Sequence, residues 1–182
     1  MVLCTFAKGQ NVSIDELISL RAKSLGSVEE FLTARKWEMI SATEERVDTV
    51  KRLDTVTYKY LKTYNYFMGN VDFAYKKNTY NESAESFIHF YYQEKFPTSN
   101  RLSIQVHTVA TYNLYIARIK VLGYKLKKSS VKDGRIIKVY EANKNIIRVT
   151  TSIQEQGSSN KTIYSFTIWD SISYQNEYIY DE

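Results

Sequence analysis

The sequence predicts an α+β protein of two successive helix-then-antiparallel-sheet units, with the helices packed on one face of the sheet or sheets. Apolar residues recur at helical spacing over residues 14–36 and again over 112–122. Each of these stretches leads into segments that alternate apolar and polar side chains, the two-residue period of half-buried strands. Sixteen tyrosines and eight phenylalanines stand beside one proline and six glycines, and aromatic residues of this kind favour amphipathic sheets. A 43% hydrophobic content supplies a core and excludes a globally disordered chain.

The elements follow in order. Ser13-Ile14-Asp15-Glu16 is a capping box, in which the serine oxygen and the glutamate each satisfy an orphan amide. Leu17, Ile18, Leu20 and Leu25 give that helix its apolar side, and Gly26 breaks it. Ser27-Val28-Glu29-Glu30 repeats the box for a second short helix ending near Lys36, with Val28, Phe31 and Leu32 on one face. Trp37-Glu38-Met39-Ile40 opens a strand, and the charged residues 44–52 read as a loop. Val56, Tyr58 and Tyr60 alternate with Thr57, Lys59 and Leu61 as a strand. Met68-Gly69-Asn70 turns the chain into a strand over 71–75, and 87–92 forms the next after a polar loop.

Phe96-Pro97-Thr98-Ser99-Asn100 is a connection, after which Leu102, Ile104 and Val106 alternate with Ser103, Gln105 and His107. Antiparallel pairing about Thr98 sets Phe90 opposite Val106, Tyr92 opposite Ile104 and His89 opposite His107. A helix fits 112–122, with Leu114, Tyr115, Ile119 and Leu122 as contacts and Gly123 as its C-terminal cap. Four strands follow over 124–130, 135–141, 145–152 and 162–169, the first pair joined by the hairpin signal Asp133-Gly134. Beyond Asp170 an acidic, tyrosine-rich tail either adds a strand or lies against the body.

The two halves share a grammar. Ala34-Arg35-Lys36-Trp37 passes from helix to strand as Val121-Leu122-Gly123-Tyr124 does, and segments 55–60, 71–75 and 86–92 match 135–140, 146–150 and 162–168. The expected organisation is a signal-peptide remnant or disordered N-terminus over 1–10, a first unit over 11–98, a second over 99–170 and a tail over 171–182. The hairpin of 87–92 with 102–107 is expected to couple the units, as one extended sheet or as two side by side.

The net charge of +5 is uneven. Residues 1–100 are balanced, 101–161 carry twelve basic and three acidic side chains, and the rest is acidic. A basic second half points to an anionic partner. Cys4 is the only cysteine, so no intramolecular disulfide or thiolate metal cluster forms. Val2-Leu3-Cys4-Thr5-Phe6-Ala7 followed by Ala7-Lys8-Gly9 resembles the end of a signal peptide. It implies a periplasmic or secreted protein, or a cytoplasmic one if this N-terminus is native.

The chain has no G-x-S-x-G elbow, phosphate-binding glycine loop or dinucleotide fingerprint. No catalytic residue and no cofactor is therefore assigned, and a non-enzymatic role is expected. His89 and His107, set opposite each other, make a weak metal pair that lacks the third ligand zinc requires. Lys125, Lys127, Lys128, Arg135, Lys138 and Arg148 lie on consecutive strands as candidate contacts for an anion or partner. The expected function is that of an exported binding protein with an exposed sheet face, its partner a protein or an anionic ligand. The alternative is nucleic-acid binding through the basic half.

The tandem helix-then-four-strand pattern resembles the β-lactamase inhibitory proteins. That resemblance implies an exported protein gripping a partner enzyme with a concave sheet, although the paired cysteines of those inhibitors have no counterpart here. The segments Glu30-Phe31-Leu32-Thr33, Trp37-Glu38 and Lys132-Asp133-Gly134-Arg135-Ile136-Ile137-Lys138-Val139-Tyr140 are similar to uncharacterised small exported proteins of Bacteroidetes-type bacteria, which imply no activity.

Overall fold

The computed structural model describes residues 12–53, 56–58, 60–77, 84–156 and 159–178. The chain runs through α1 (Ile14–Arg21), α2 (Leu25–Thr33), β1 (Trp37–Thr43), β2 (Arg46–Leu53), β3 (Tyr60–Phe67), β4 (Gly69–Tyr75) and β5 (Ser86–Tyr92). A 3-10 turn at Pro97–Ser99 leads to β6 (Arg101–Val106) and α3 (Val109–Val121). Then come β7 (Lys125–Lys132), β8 (Arg135–Ala142), β9 (Asn145–Gln156), β10 (Ser159–Asp170) and α4 (Ser171–Tyr178).

Eight of the strands form one antiparallel sheet in the order β1-β4-β5-β6-β10-β9-β8-β7. It consists of two four-stranded meanders running in opposite spatial order and joined through their last strands, β6 and β10. Along that seam Val106 pairs with Tyr164, Ile104 with Phe166 and Leu102 with Ile168. The arrangement is α+β, with one continuous sheet and roughly two helix-then-sheet segments. The expected β5–β6 hairpin forms and joins the segment before residue 99 to β6, and the β6–β10 ladder continues the sheet into the later strands.

One face of this sheet is apolar. Phe73, Ile88, Phe90, Leu102, Ile104 and Phe166 are fully buried on it, with Ile147 and Ile168 beyond. Helices α1, α2 and α3 cover that face, α1 touching both β6 and β10 and so lying over the seam. Burying one such Leu, Ile or Phe side chain contributes about 2–3 kcal/mol. The helices are tied together by polar contacts at their rims. Arg118 of α3 grips Asp15 of α1 at 2.7 Å, and the Tyr115 hydroxyl donates to the Val12 carbonyl at 2.6 Å. Buried Arg21 donates to the Thr98 carbonyl at 2.6 Å and to Asn145 Oδ1 at 3.0 Å, clamping α1 to the 3-10 turn and to the start of β9.

The first capping box forms as expected, Ser13 and Glu16 bonding reciprocally. The break between α1 and α2 falls at residues 22–24, before Gly26. Ser24 is the N-cap of α2 and Gly26 lies in its first turn. A short polar side chain outside the helix, Ser24, therefore outcompetes the Ser27 box. The charged segment expected as a loop over 44–52 is largely strand β2, and 56–58 is turn where a strand was expected. These residues build an arm: among the described residues β2 pairs only with β3, from Arg46 opposite Phe67 to Leu53 opposite Tyr60. The same register already holds at Thr43 opposite Asn70, so β1–β2 and β3–β4 form one long hairpin projecting past the sheet. Asp133 and Gly134 both take positive φ, 51° and 70°, as a tight hairpin turn requires. The expected signal remnant at 1–10 lies outside the described residues.

Candidate binding face on the uncovered side of the sheet

Because side chains alternate across a strand, the residues between the core positions all point to the opposite face. There, Asp72, His89, Ser103, Thr167 and Arg148 are successive cross-strand partners on β4, β5, β6, β10 and β9. A parallel row holds Gln105, Ser165 and Thr150. Around these rows the sheet forms a shallow polar depression of about 560 Å³, whose lining includes Arg101, Arg135 and Arg148. None of the described residues lining it is acidic.

Hydrogen bonds fix much of this surface. Ser41 Oγ donates to Asp72 Oδ2 at 2.6 Å, and Asn70 Nδ2 donates to Oδ1 at 3.1 Å. His89 Nδ1 lies 2.8 Å from Asp72 Oδ1, and Gln105 Nε2 lies 3.2 Å from His89 Nε2. The tautomer that fits both contacts is neutral, with Nδ1–H donating to the carboxylate and Nε2 accepting from the Gln105 amide. Partial burial pushes the Asp72 carboxyl up, but the donors Ser41, His89 and Asn70 outweigh it and hold the group below its ordinary range. The Ser103 and Thr167 hydroxyls meet at 3.0 Å. The Arg101 guanidinium lies 4.1 Å from the centre of the Tyr91 ring and 5.7 Å from that of Trp169, which orients its plane.

One end of this face is covered. Ile137, Val139 and Ile146 form a small second core on it, and Tyr174 of α4 packs against them. The Tyr174 ring meets buried Trp169 nearly edge-on, 5.4 Å between centres. The tail beyond Asp170 thus begins as a helix on the face opposite α1–α3. Its start is held by Asp170 Oδ1, which accepts from the amides of Ile172 and Ser173.

The candidate residues from the sequence divide among several surroundings. Arg135 and Arg148 line the depression. Lys138 sits on the helix-covered face, its Nζ 3.3 Å from the Tyr112 hydroxyl. Lys125, Lys127 and Lys128 lie on the exposed edge strand β7, with Lys127 paired to Glu141 at 3.2 Å. The expected histidine pair does not form: Phe90 stands opposite Leu102, and His89 opposite Ser103. The connection is centred earlier than Thr98 because Pro97–Ser99 coils into a 3-10 turn and the Asn100 side chain accepts from the Gln93 amide. Both ring nitrogens of His107 are buried without a hydrogen-bond partner among the described residues. Burial, and then the charge of Lys161, hold its pKa below the ordinary value. Among the described residues no group of three or more His, Cys, Asp and Glu is placed to hold a metal ion.

Arg101, Tyr91, Gln105 and Trp169 were missed as site residues. The signal for two of them was the alternation on β6, which puts Arg101, Ser103 and Gln105 on one face and Leu102, Ile104 and Val106 on the other. Comparison with protein-family models, curated proteins and solved structures returned no match. The fold and face define an α+β protein with an exposed, polar sheet surface suited to interaction. No helix among the described residues is long and apolar enough to cross a membrane.

Proposed function

We propose that this chain is a non-enzymatic binding protein that engages its partner with the uncovered face of the sheet, and that it acts in the periplasm or outside the cell. The observation that carries the binding role is the polar depression at the centre of the sheet. Five strands of both meanders contribute to it, and three helices are committed to the other side. An uncovered sheet centre would ordinarily be hidden by helices or a second sheet. Here it is finished with hydroxyls, amides and guanidinium groups that suit water and a polar ligand alike. The export reading is supported by the Val2–Ala7 stretch and the small residues Ala7 and Gly9 that follow it.

Thr167→Trp fills the middle of the depression without altering charge and provides the test. Tagged wild-type protein and the variant are each used to capture partners from the native cell envelope. A partner, macromolecule or small ligand, retained by the wild type and lost by Thr167→Trp supports the binding face. A partner retained equally by both, or lost only on substitution of exposed α3 residues such as Leu114, contradicts it. N-terminal sequencing of the protein from fractionated cells tests export: a start at or near Gln10 in the periplasmic or medium fraction is expected, and an intact Met1 in the cytoplasm overturns it.

A further inference from the structure

The arginines of the depression do not converge on one point. On the sheet grid, Arg101 is one face position along β6 from Ser103, and Arg148 lies in the Ser103–Thr167 row two strands away. Arg135 precedes Ile136, which pairs with Thr151, so it falls level with Ser152 and two face positions beyond Arg148. With strands about 4.8 Å apart and face neighbours about 6.6 Å apart, the Cα atoms of Arg101 and Arg148 are roughly 12 Å apart and those of Arg148 and Arg135 roughly 14 Å. The three form a diagonal across four strands. A compact dianion such as phosphate is gripped by donors that meet at one site. A diagonal of separated guanidinium groups fits a long ligand with anionic groups at intervals.

The ground between the arginines narrows the chemistry. Ser103, Thr167, Ser165, Thr150 and Gln105 occupy it, all short polar side chains able both to donate and to accept. Among the described residues, Asp72 is held by Ser41, Asn70 and His89, and Glu141 by Lys127. A peptide adding to a sheet does so at an edge, where backbone groups are unpaired. In the centre of a sheet the backbone is consumed by its neighbours, and a peptide's own amides would find few partners. A ligand whose polar groups are themselves hydroxyls meets this surface group for group.

Resting on the proposed binding face, we infer that its ligand is an acidic carbohydrate chain, a run of sugar rings bearing carboxylate or sulfate groups. The anionic groups pair with Arg101, Arg148 and Arg135 in turn, and the ring hydroxyls lie over the Ser/Thr rows. Trp169 is buried beneath Arg101 and Tyr174, so charge and hydroxyl contacts, with little ring stacking, provide the recognition.

Calorimetric titration of the full chain tests this with five probes: galacturonic acid, its hexamer, the methyl-esterified hexamer, a sulfated hexasaccharide and a glutamate hexapeptide. The charged hexamers are expected to bind, with the galacturonate hexamer at least about 100-fold tighter than the monosaccharide because linked contacts act together. Which hexamer wins separates carboxylate from sulfate as the natural group. Arg148→Ala and the exposed Arg135→Ala are each expected to weaken binding about 10-fold, as loss of one charge-assisted pair implies. Lys120→Ala removes the same charge from helix α3 on the opposite face and is expected to change nothing. Equal binding of the esterified hexamer, or equal loss with Lys120→Ala, overturns the inference. Binding of the glutamate peptide alone also overturns it while leaving the binding face intact. So does silence from every probe when partner capture still depends on Thr167; loss of that dependence is what removes the binding face itself.

Discussion

Ser103 of β6 and Thr167 of β10 stand opposite each other with their hydroxyl oxygens 3.0 Å apart, on the open side of the seam where the two meanders meet. Beneath them, on the covered side, Ile104 pairs with Phe166 under helix α1. One ladder therefore carries both the middle of the candidate binding face and the middle of the core. The two halves are expected to unfold as one unit. Phe166→Ala should cost about 3–5 kcal/mol, the range for emptying a buried aromatic site. Urea unfolding followed by far-ultraviolet circular dichroism and by tryptophan fluorescence checks this, since Trp37 and Trp169 lie in different halves. Coincident curves, shifted together by the substitution, are expected; two separate transitions would show the halves to be independent.

Asp72 organises the β4–β5 end of the face. Asp72→Ala leaves Ser41, Asn70 and His89 without their acceptor and should cost about 1–3 kcal/mol near neutral pH. The folded carboxyl lies below its ordinary 3.8, so the stability it adds is complete above that value. It is lost as the pH falls through the lower folded value. The gap between wild type and variant, measured by urea melts, should therefore be constant from neutral pH down to mildly acid conditions and close only below 3.8. A gap that closes well above 3.8 would show that the Asp72 carboxyl is not the group responsible.

His107 gives a pH dependence in a different window. Its imidazole is held below the ordinary 6.5, by burial first and by Lys161 second. The unfolded chain therefore takes up a proton at 6.5 that the folded chain refuses, and stability declines as the pH falls from there toward the folded value. His107→Leu should abolish that part of the decline. Replacing two unpartnered ring nitrogens by an apolar group should also leave stability near neutral pH unchanged or raise it by about 1 kcal/mol. Melts of both proteins across the range decide it: parallel profiles for wild type and variant would show that His107 is not the titrating group.

Gly69 is required by its neighbour. Tyr92 stands opposite it in the β4–β5 ladder, and a Cβ at position 69 would overlap the Tyr92 ring. Gly69→Ala should therefore cost about 1–3 kcal/mol through displacement of that ring. In a double-mutant cycle with Tyr92→Ala, the Gly69 substitution should become milder by about 1 kcal/mol or more. Simple additivity would mean that the ring is not what excludes a side chain there.

The parts of the fold that the sequence made legible are those where local chemistry decides: the Ser13 box, the Asp133-Gly134 turn and the alternation of β6. What it hid depends on distant partners. Residues 46–53 look like a loop because the arm leaves positions such as Val47 exposed, without the one-sided burial that produces alternation. The histidine pairing failed because a 3-10 turn and the Asn100 side chain moved the centre of a hairpin by two residues. An even displacement of partners keeps every side chain on its own face, which is why the polar face survived a wrong register. The site itself is spread over β5, β6, β10, β9 and β8. Arg101 joins Arg148 only once β6 and β10 are known to be neighbours.

The most direct test of the central claim is an amide-resolved NMR titration of the full protein with the galacturonate hexamer. Shifts are expected in the central strands, over 101–105, 148–152 and 165–169, and to fade with added salt as arginine-mediated contacts are screened. Helix α3 and the β2–β3 arm should remain unmoved. Shifts concentrated on either of those elements, or central-strand shifts indifferent to salt, would contradict a cationic binding surface on the uncovered face of the sheet.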